Sequence, residues 1–211
     1  LAGLLAWQRR RRWAAAALLT VGVLAREPMM LAVIAIAVEQ AIEWWRVRGQ
    51  PQAFKRIVSS AWPAVLIPVL VFVAWQLYID ARYGGNAANS SGAFLPPFQG
   101  VVDEFRHAFD DPLRRDKVWD VAFLVLMLAG IVASVGLAWR SRSAPGIAAA
   151  LFGLSLLVLV FGDPWSYARL SAPMFACMLV AGLERRDKIP LVVCVAGALL
   201  TLAFTPWFAA A

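Results

Sequence analysis

Six apolar stretches, separated by short groups of arginine and lysine, constrain the fold of this sequence more than any other feature. They cover residues 13–25, 29–45, 61–79, 118–139, the paired runs 145–161 and 170–183, and 189–208. A helix needs about 20 residues to cross the hydrocarbon core of a bilayer, and most of these runs approach that length. We therefore expect an all-α, polytopic bundle of six to seven transmembrane helices.

The composition supports lipid as the surrounding solvent. Of the 211 residues, 62% are apolar and 16% are charged, and the mean hydropathy is +0.70. A soluble domain of this size cannot bury so much apolar surface in one core. The sequence is therefore typical of an integral, multi-pass membrane protein whose first partner is membrane lipid.

The basic residues fall in clusters at every second connection between the apolar stretches. The clusters are Arg9–Arg12; Arg46, Arg48, Lys55 and Arg56; Arg140 and Arg142; and Arg185, Arg186 and Lys188. Lys and Arg close to helix ends are retained in the cytoplasm, so all four clusters are predicted to lie on that side. The formal charge of +7 is then a signal of topology, and we expect no nucleic-acid partner.

By elimination, residues 26–28, 80–117 and 162–169 are predicted to be extracytoplasmic. The long loop 80–117 contains a segment rich in glycine, asparagine and serine, then Pro96 and Pro97. Beyond them, Val101, Val102, Phe105 and Phe109 share one face at helical spacing. This pattern predicts an amphipathic helix that lies on the membrane surface or covers a cavity.

The first residues of the chain have the pattern of a membrane helix. Residues 1–7 are apolar and precede four arginines, whereas a secretory signal has its positive region first. We expect residues 1–7 to be the tail of a preceding helix, and residues 1–211 to form a single transmembrane domain of a longer protein. The two cysteines, Cys177 and Cys194, lie in apolar runs and are predicted to be small buried side chains, with no metal site.

Arg26, Glu27 and Pro28 separate the first two apolar stretches. Pro28 suits the first turn of a helix, so the chain is predicted to turn there and head back. The preceding stretch of 13 residues is about 20 Å long as a helix, which is shorter than the hydrocarbon core of about 30 Å. The charged pair would therefore lie below the outer surface, where charges are costly unless they are paired or face a wet cavity. We predict a functional site here. The alternatives are a salt bridge between Arg26 and Glu27 that closes a turn, or a pair of snorkelling side chains.

A second polar segment, residues 162–169, precedes another short apolar run. Asp163, Tyr167 and Arg169 are predicted to line the same cavity as Arg26 and Glu27. Two guanidinium groups would suit a phosphate or pyrophosphate, and carboxylates could orient or deprotonate a hydroxyl. The alternative is an ordinary turn, because Asp-Pro favours turn initiation and tryptophan and tyrosine favour the interface.

Glu39 and Glu43 stand four residues apart on one helical face. They could form a proton or cation path, although contact with the cytoplasmic interface or with Arg46 is favoured by their position near the end of the stretch. No Walker loop, dinucleotide glycine pattern, HExxH or GxSxG occurs in the sequence, so no cofactor is predicted.

Several short motifs resemble those of the polytopic type C glycosyltransferases. They are Leu24-Ala25-Arg26-Glu27, Pro96-Pro97-Phe98, and Tyr167-Ala168-Arg169 followed by Pro173. The resemblance implies a polyprenyl-phosphate sugar as donor, used on the extracytoplasmic side. It also implies that Arg26, Glu27 and Arg169 face the lipid phosphate or the sugar. The usual catalytic acid of that family belongs to a first outer loop, expected before Leu1, so the general base is unassigned.

These patterns together predict sugar transfer to an extracytoplasmic acceptor by a protein of the bacterial inner membrane. Two alternatives stay open: a transporter or flippase of a lipid-linked or anionic solute, and a polymerase or ligase of surface polysaccharide. The bacterial source is suggested by the richness in alanine and arginine. No protein partner is predicted.

Overall fold

The computed structural model describes residues 1–48, 50–83, 102, 106, 115–157 and 164–208. The main helices are α1 (Ala2–Gln8), α2 (Arg12–Ala25), α3 (Met30–Val47), α4 (Pro51–Tyr83), α5 (Arg115–Ser141), α6 (Ala144–Leu156), α7 (Pro164–Arg185) and α8 (Lys188–Phe208). A short 3₁₀ turn, Glu27–Met29, joins α2 to α3. The chain divides into unit 1, residues 1–91 and 142–148, and unit 2, residues 92–141 and 149–211.

The prediction of an all-α fold is confirmed for the described residues. Three helical segments are long and apolar enough to cross a membrane: Glu27–Val47, Ser59–Arg82 and Leu124–Ser141. Arg12–Ala25, Ala144–Leu156 and Lys188–Gly197 are apolar but shorter. These lengths are compatible with a membrane protein, and the number of six to seven spans stays a prediction.

The long loop predicted over residues 80–117 is shorter at both ends, because α4 continues to Tyr83 and α5 already begins at Arg115. The amphipathic helix predicted in that loop falls mostly outside the described residues. Of its neighbourhood, only Val102 and Arg106 are described, and both are helical.

Unit 1 is built by α4 packing against α2 and α3, and by α1 packing against α2. Its buried faces are rich in alanine: Ala15, Ala16, Leu19 and Val23 on α2, Ala32, Val33, Ala35 and Ile36 on α3, and Ala61 and Ala64 on α4. Small side chains let helix backbones approach closely, which is how helices associate in lipid. Gly3 on α1 shows the same device, because a Cβ there would stand 2.8 Å from Cγ of Leu19.

Helix α4 has 33 residues and contains Pro63 and Pro68. At 1.5 Å per residue it is about 50 Å long, well beyond the hydrocarbon core of about 30 Å. Each proline removes one backbone hydrogen bond, a loss that membrane helices tolerate where neighbouring helices support them. Both prolines are buried, so the irregular part of α4 faces its neighbours.

Unit 2 consists of α5, α7 and α8 in mutual contact, together with most of α6. Its core is formed by Leu124, Met127, Ile131, Ser134 and Leu137 on α5 and by Met174, Cys177, Met178 and Ala181 on α7. A Cβ at Gly153 of α6 would stand 2.9 Å from Sδ of Met174. Cys177 is buried, as predicted, whereas Cys194 is only half-buried and its thiol donates to the carbonyl of Phe175 at 3.3 Å.

Three turns in the basic clusters have an arginine in the left-handed region, Arg10, Arg142 and Arg186, with φ of 58°, 49° and 54°. After α7, the Asp187 N–H donates to Gly182 O at 3.0 Å and the Arg186 N–H donates to Leu183 O at 3.3 Å. This is the Schellman arrangement, in which glycine is the usual left-handed residue. Arginine costs about 1–2 kcal/mol of backbone strain there, partly offset by its charge near a helix C-terminus.

In unit 2, polar contacts tie the C-terminus of α5 to the turn between α7 and α8. The Arg185 guanidinium donates to Ser141 O at 2.8 Å, and Arg140 forms an ion pair with Asp187 at 3.0 Å. Two of the four basic clusters therefore meet at one end of this unit.

In unit 1, the carboxylate of Glu39 joins three helices through polar contacts. It accepts a hydrogen bond from the Trp7 indole N–H at 2.6 Å and another from the Ala144 backbone N–H at 2.9 Å. Trp7 immediately precedes the Arg9–Arg12 cluster and Ala144 follows Arg142. The basic connections are thus gathered at one end of unit 1 as well.

Candidate functional site

The turn between α2 and α3 positions the two charged residues that the sequence singled out. The Arg26 backbone is extended, with φ −153° and ψ 120°, which ends α2. The Arg26 N–H donates to Gly22 O at 2.9 Å, and the Arg26 carbonyl accepts from the Met29 N–H at 2.9 Å. Pro28 lies within the following 3₁₀ turn, where its lack of an N–H costs little. A turn is thus present at Pro28, between the end of α2 and the start of α3.

Both charged side chains of this turn are exposed. Glu27 Oε1 accepts a hydrogen bond from the Gln76 side-chain amide of α4 at 3.1 Å. Among the described residues, the Arg26 guanidinium has no ion-pair partner. The alternative in which Arg26 and Glu27 neutralise each other is therefore not what this turn adopts. The carboxylate is fixed to α4, and the guanidinium is available to an anion.

Gln76 is a residue of this site that the sequence analysis did not single out. A signal was present, because Gln76 is the only side-chain amide in the apolar stretch 61–79. An amide in such a stretch needs a polar partner. Only the tertiary structure shows that its partner is Glu27, 49 residues earlier in the chain.

Two aromatic rings flank Gln76 along α4. Trp75 and Tyr78 stack with their ring centroids 5.8 Å apart and an angle of 28° between the planes. Both are substantially exposed, at 43% and 56%. Rings with a polar edge favour the boundary between hydrocarbon and headgroups. These rings therefore favour contact between this part of α4 and lipid headgroups or water, which fits a bilayer that is thinner at this level.

The second predicted segment is described only in part. Tyr167 and Arg169 lie in the first two turns of α7, and Asp163 lies outside the described residues. Arg26 and Glu27 belong to unit 1, whereas Tyr167 and Arg169 belong to unit 2. A common pocket of these residues stays a prediction.

Glu39 and Glu43 differ in their surroundings although they share a helical face. Glu39 joins α1 and α6 through Trp7 and Ala144, as described above, and is half-buried. Glu43 is exposed and accepts from the Gln40 amide at 3.3 Å. Glu39 is thus a structural acceptor for two donors, and the contacts of the two carboxylates are not those of a shared proton path.

Within the part of the chain that the structure describes, no three His, Cys, Asp or Glu side chains are grouped as metal ligands. No protein-family model, curated protein or solved structure matches this chain. The features of this chain that point to a function are therefore the geometry of the Arg26–Glu27 turn and the sequence motifs.

Proposed function

We propose that this chain is a membrane glycosyltransferase-like protein that transfers a sugar from a polyprenyl-phosphate donor to an extracytoplasmic acceptor. The observation that carries the proposal is the exposed Arg26 guanidinium, without an ion-pair partner among the described residues, beside a carboxylate that Gln76 fixes. A guanidinium group presents a planar fork of donors that matches phosphate oxygens.

The depth of Arg26 favours an anionic ligand over simple solvation. Helix α2 has 14 residues, about 21 Å at 1.5 Å per residue. If Arg12 lies at the cytoplasmic interface, Arg26 is roughly 9 Å short of the far edge of a 30 Å hydrocarbon core. A cation at that depth is costly unless it is paired or hydrated. A lipid phosphate drawn slightly into the membrane would supply the opposite charge.

The reaction would be a direct displacement at the anomeric carbon of the sugar. The acceptor hydroxyl forms the new bond to that carbon, its proton passes to a general base that is unassigned, and the bond to the polyprenyl phosphate oxygen breaks. Arg26 would stabilise the charge that develops on the leaving phosphate. Arg169 is the second proposed guanidinium, while Glu27, Asp163 and Tyr167 are proposed to contact the sugar or the acceptor.

The localisation belongs to the same proposal. With all four basic clusters in the cytoplasm, the Arg26–Glu27 turn and residues 162–169 open to the outside of a bacterial inner membrane. The chain would then cross the membrane six to seven times, with residues between α4 and α5 forming the long extracytoplasmic loop.

The test uses the intact protein in membrane vesicles with a radiolabelled polyprenyl-phosphate sugar. Wild type should consume the donor only when an acceptor is added. Arg26→Ala should lower the rate of sugar transfer at least a hundredfold. Arg26→Lys keeps the charge but loses the planar fork of donors, so its rate should lie between those of Arg26→Ala and wild type. Arg12→Ala is the matched control, because it removes the same side chain at the other end of α2.

Two results would overturn the proposal. The first is unchanged transfer in Arg26→Ala at equal membrane insertion. The second is movement of the labelled lipid between leaflets without consumption of the donor, which would identify a flippase instead.

A further inference from the structure

A second feature of unit 1 lies at the opposite end of α3 and α4 from the Arg26–Glu27 turn. An open apolar groove of about 400 Å³ runs between the two helices. Its lining includes Ala41 and Trp44 on α3 and Ile57, Ala61, Trp62 and Leu66 on α4. Trp44, Trp62 and Leu66 remain 41%, 44% and 46% exposed. The proposed function makes no use of this groove.

The groove is long enough to hold the upper part of one lipid molecule. From Ile57 to Leu66 the lining extends over about 14 Å of α4, at 1.5 Å per residue. The lining includes Ala41 and Ala61, and such small side chains leave room for a lipid chain between the two helices.

Tryptophans mark the level of the groove's mouth. Trp62 makes an edge-to-face contact with Trp13, with 5.6 Å between ring centroids, and Trp13 directly follows the Arg9–Arg12 cluster. Trp44 directly precedes Trp45, over which the Arg48 guanidinium lies at 4.0 Å. Indole rings favour the headgroup level of a bilayer. The part of the groove near Ile57 and Trp62 therefore lies at headgroup level, and the part from Trp62 to Leu66, about 6 Å of α4, extends into the hydrocarbon.

Positive charges stand at this mouth on both helices. Lys55 precedes Trp62 by seven residues on α4, so it continues the stripe of that helix that lines the groove. Arg48 directly follows the last residue of α3, four residues after Trp44. Both are exposed. The nearby carboxylate of Glu43 is engaged by Gln40 at 3.3 Å, and Arg46 adds a further exposed positive charge. The local balance is therefore positive, which is complementary to a phosphate group.

We propose that this groove binds one acyl chain of an anionic phospholipid, with the lipid phosphate contacting Arg48 and Lys55. The apolar lining supplies affinity for the chain, and the two cations supply selectivity for the anionic headgroup. Each Lys or Arg near the membrane surface contributes about fivefold to the affinity for anionic lipid. Phosphatidylglycerol should thus bind roughly 25-fold more tightly than phosphatidylcholine with the same chains.

The experiment is native mass spectrometry of the intact protein in detergent, titrated with phosphatidylglycerol or phosphatidylcholine of identical chains. Ala41→Trp places an indole in the exposed part of the groove and should reduce phosphatidylglycerol occupancy about tenfold. Leu70→Trp, on an exposed part of α4 outside the groove, is the matched control and should bind as wild type does. The double variant Arg48→Gln, Lys55→Gln should lose the preference for phosphatidylglycerol while retaining weak binding of both lipids.

A charge-matched control separates the groove from the overall positive field. Arg186→Asn with Lys188→Gln removes two exposed charges from unit 2 and should keep the selectivity. A diazirine in the acyl chain of phosphatidylglycerol should label peptides from α3 and α4. The proposal is overturned by equal occupancy in Ala41→Trp and wild type, or by equal selectivity loss in the two double variants. It is also overturned if Ala41→Trp breaks a dimer, since the occupant would then be a second copy of this chain.

Discussion

Replacing Glu39 by alanine should strongly destabilise unit 1, because the Glu39 carboxylate joins three helices. Its carboxylate accepts from the Trp7 indole at 2.6 Å and from the Ala144 N–H at 2.9 Å. Hydrogen bonds to charged groups contribute about 1.5–3 kcal/mol each. Because Glu39 is half-buried and water can replace part of the loss, we expect a total near the lower bound for two bonds, about 3 kcal/mol.

A series of variants tests this magnitude. Glu39→Gln retains one acceptor oxygen, so it should lose one of the two bonds, about 1.5 kcal/mol. Glu43→Ala, four residues further on the same face, removes an exposed carboxylate with a 3.3 Å contact to Gln40. It should change the stability by less than about 0.5 kcal/mol.

The assay is SDS-induced unfolding in detergent micelles, followed by circular dichroism, with hydrogen exchange of the first turn of α6 to localise the effect. A double-mutant cycle with Trp7→Phe should give a coupling energy of about 1–2 kcal/mol. Equal unfolding midpoints for Glu39→Ala and Glu43→Ala would refute the reasoning. So would additive effects of Glu39→Ala and Trp7→Phe.

Three further predictions follow from the packing and the turns. Arg186→Gly should stabilise the α7–α8 turn by about 1 kcal/mol, because a φ of 54° favours glycine. Arg185→Gly, at the helical position before it, should destabilise the protein, and the midpoints of thermal unfolding of the two variants test this difference. Gly153→Leu should lower the free energy of unfolding by about 1–3 kcal/mol, because the new side chain would overpack against Met174. Gly136→Ala should be neutral or stabilising in the same assay, since a Cβ there would meet only the Arg140 guanidinium at 3.9 Å. Arg185→Ala should lower the stability of unit 2 by about 1 kcal/mol through its bond to Ser141 O, and Arg140→Ala by less, because the Arg140–Asp187 pair is half exposed; equal unfolding midpoints would contradict this order.

The helices were largely predictable because apolar runs and basic clusters are strong local signals. The turn at Pro28 also followed from the sequence, since proline suits the first turn of a helix and the preceding run is short. The limits of α4 did not. Residues 51–60 are polar enough to suggest a connection between helices. In the structure they belong to α4 and extend it by ten residues before the apolar stretch begins.

The polar contacts were harder to predict because their partners are far apart in sequence. Glu39 and Ala144 are separated by 105 residues, and Glu27 and Gln76 by 49. Periodicity places Glu39 and Glu43 on one face, but it cannot distinguish a carboxylate that joins three helices from one that contacts only its own helix. The aromatic and basic mouth of the α3–α4 groove was visible only as separate interfacial residues.

The hydrogen bond between Glu27 and Gln76 also fixes the relative heights of three helices. Helix α2 and the start of α3 end at the level of Gln76, whereas α4 continues for seven more residues to Tyr83, about 10 Å further. The outer end of unit 1 is therefore uneven, because the Arg26–Glu27 turn lies about 10 Å lower than the end of α4. A bilayer must thin or admit water above the low Arg26–Glu27 turn. This thinning shortens the distance over which a lipid headgroup has to move into the membrane to reach Arg26.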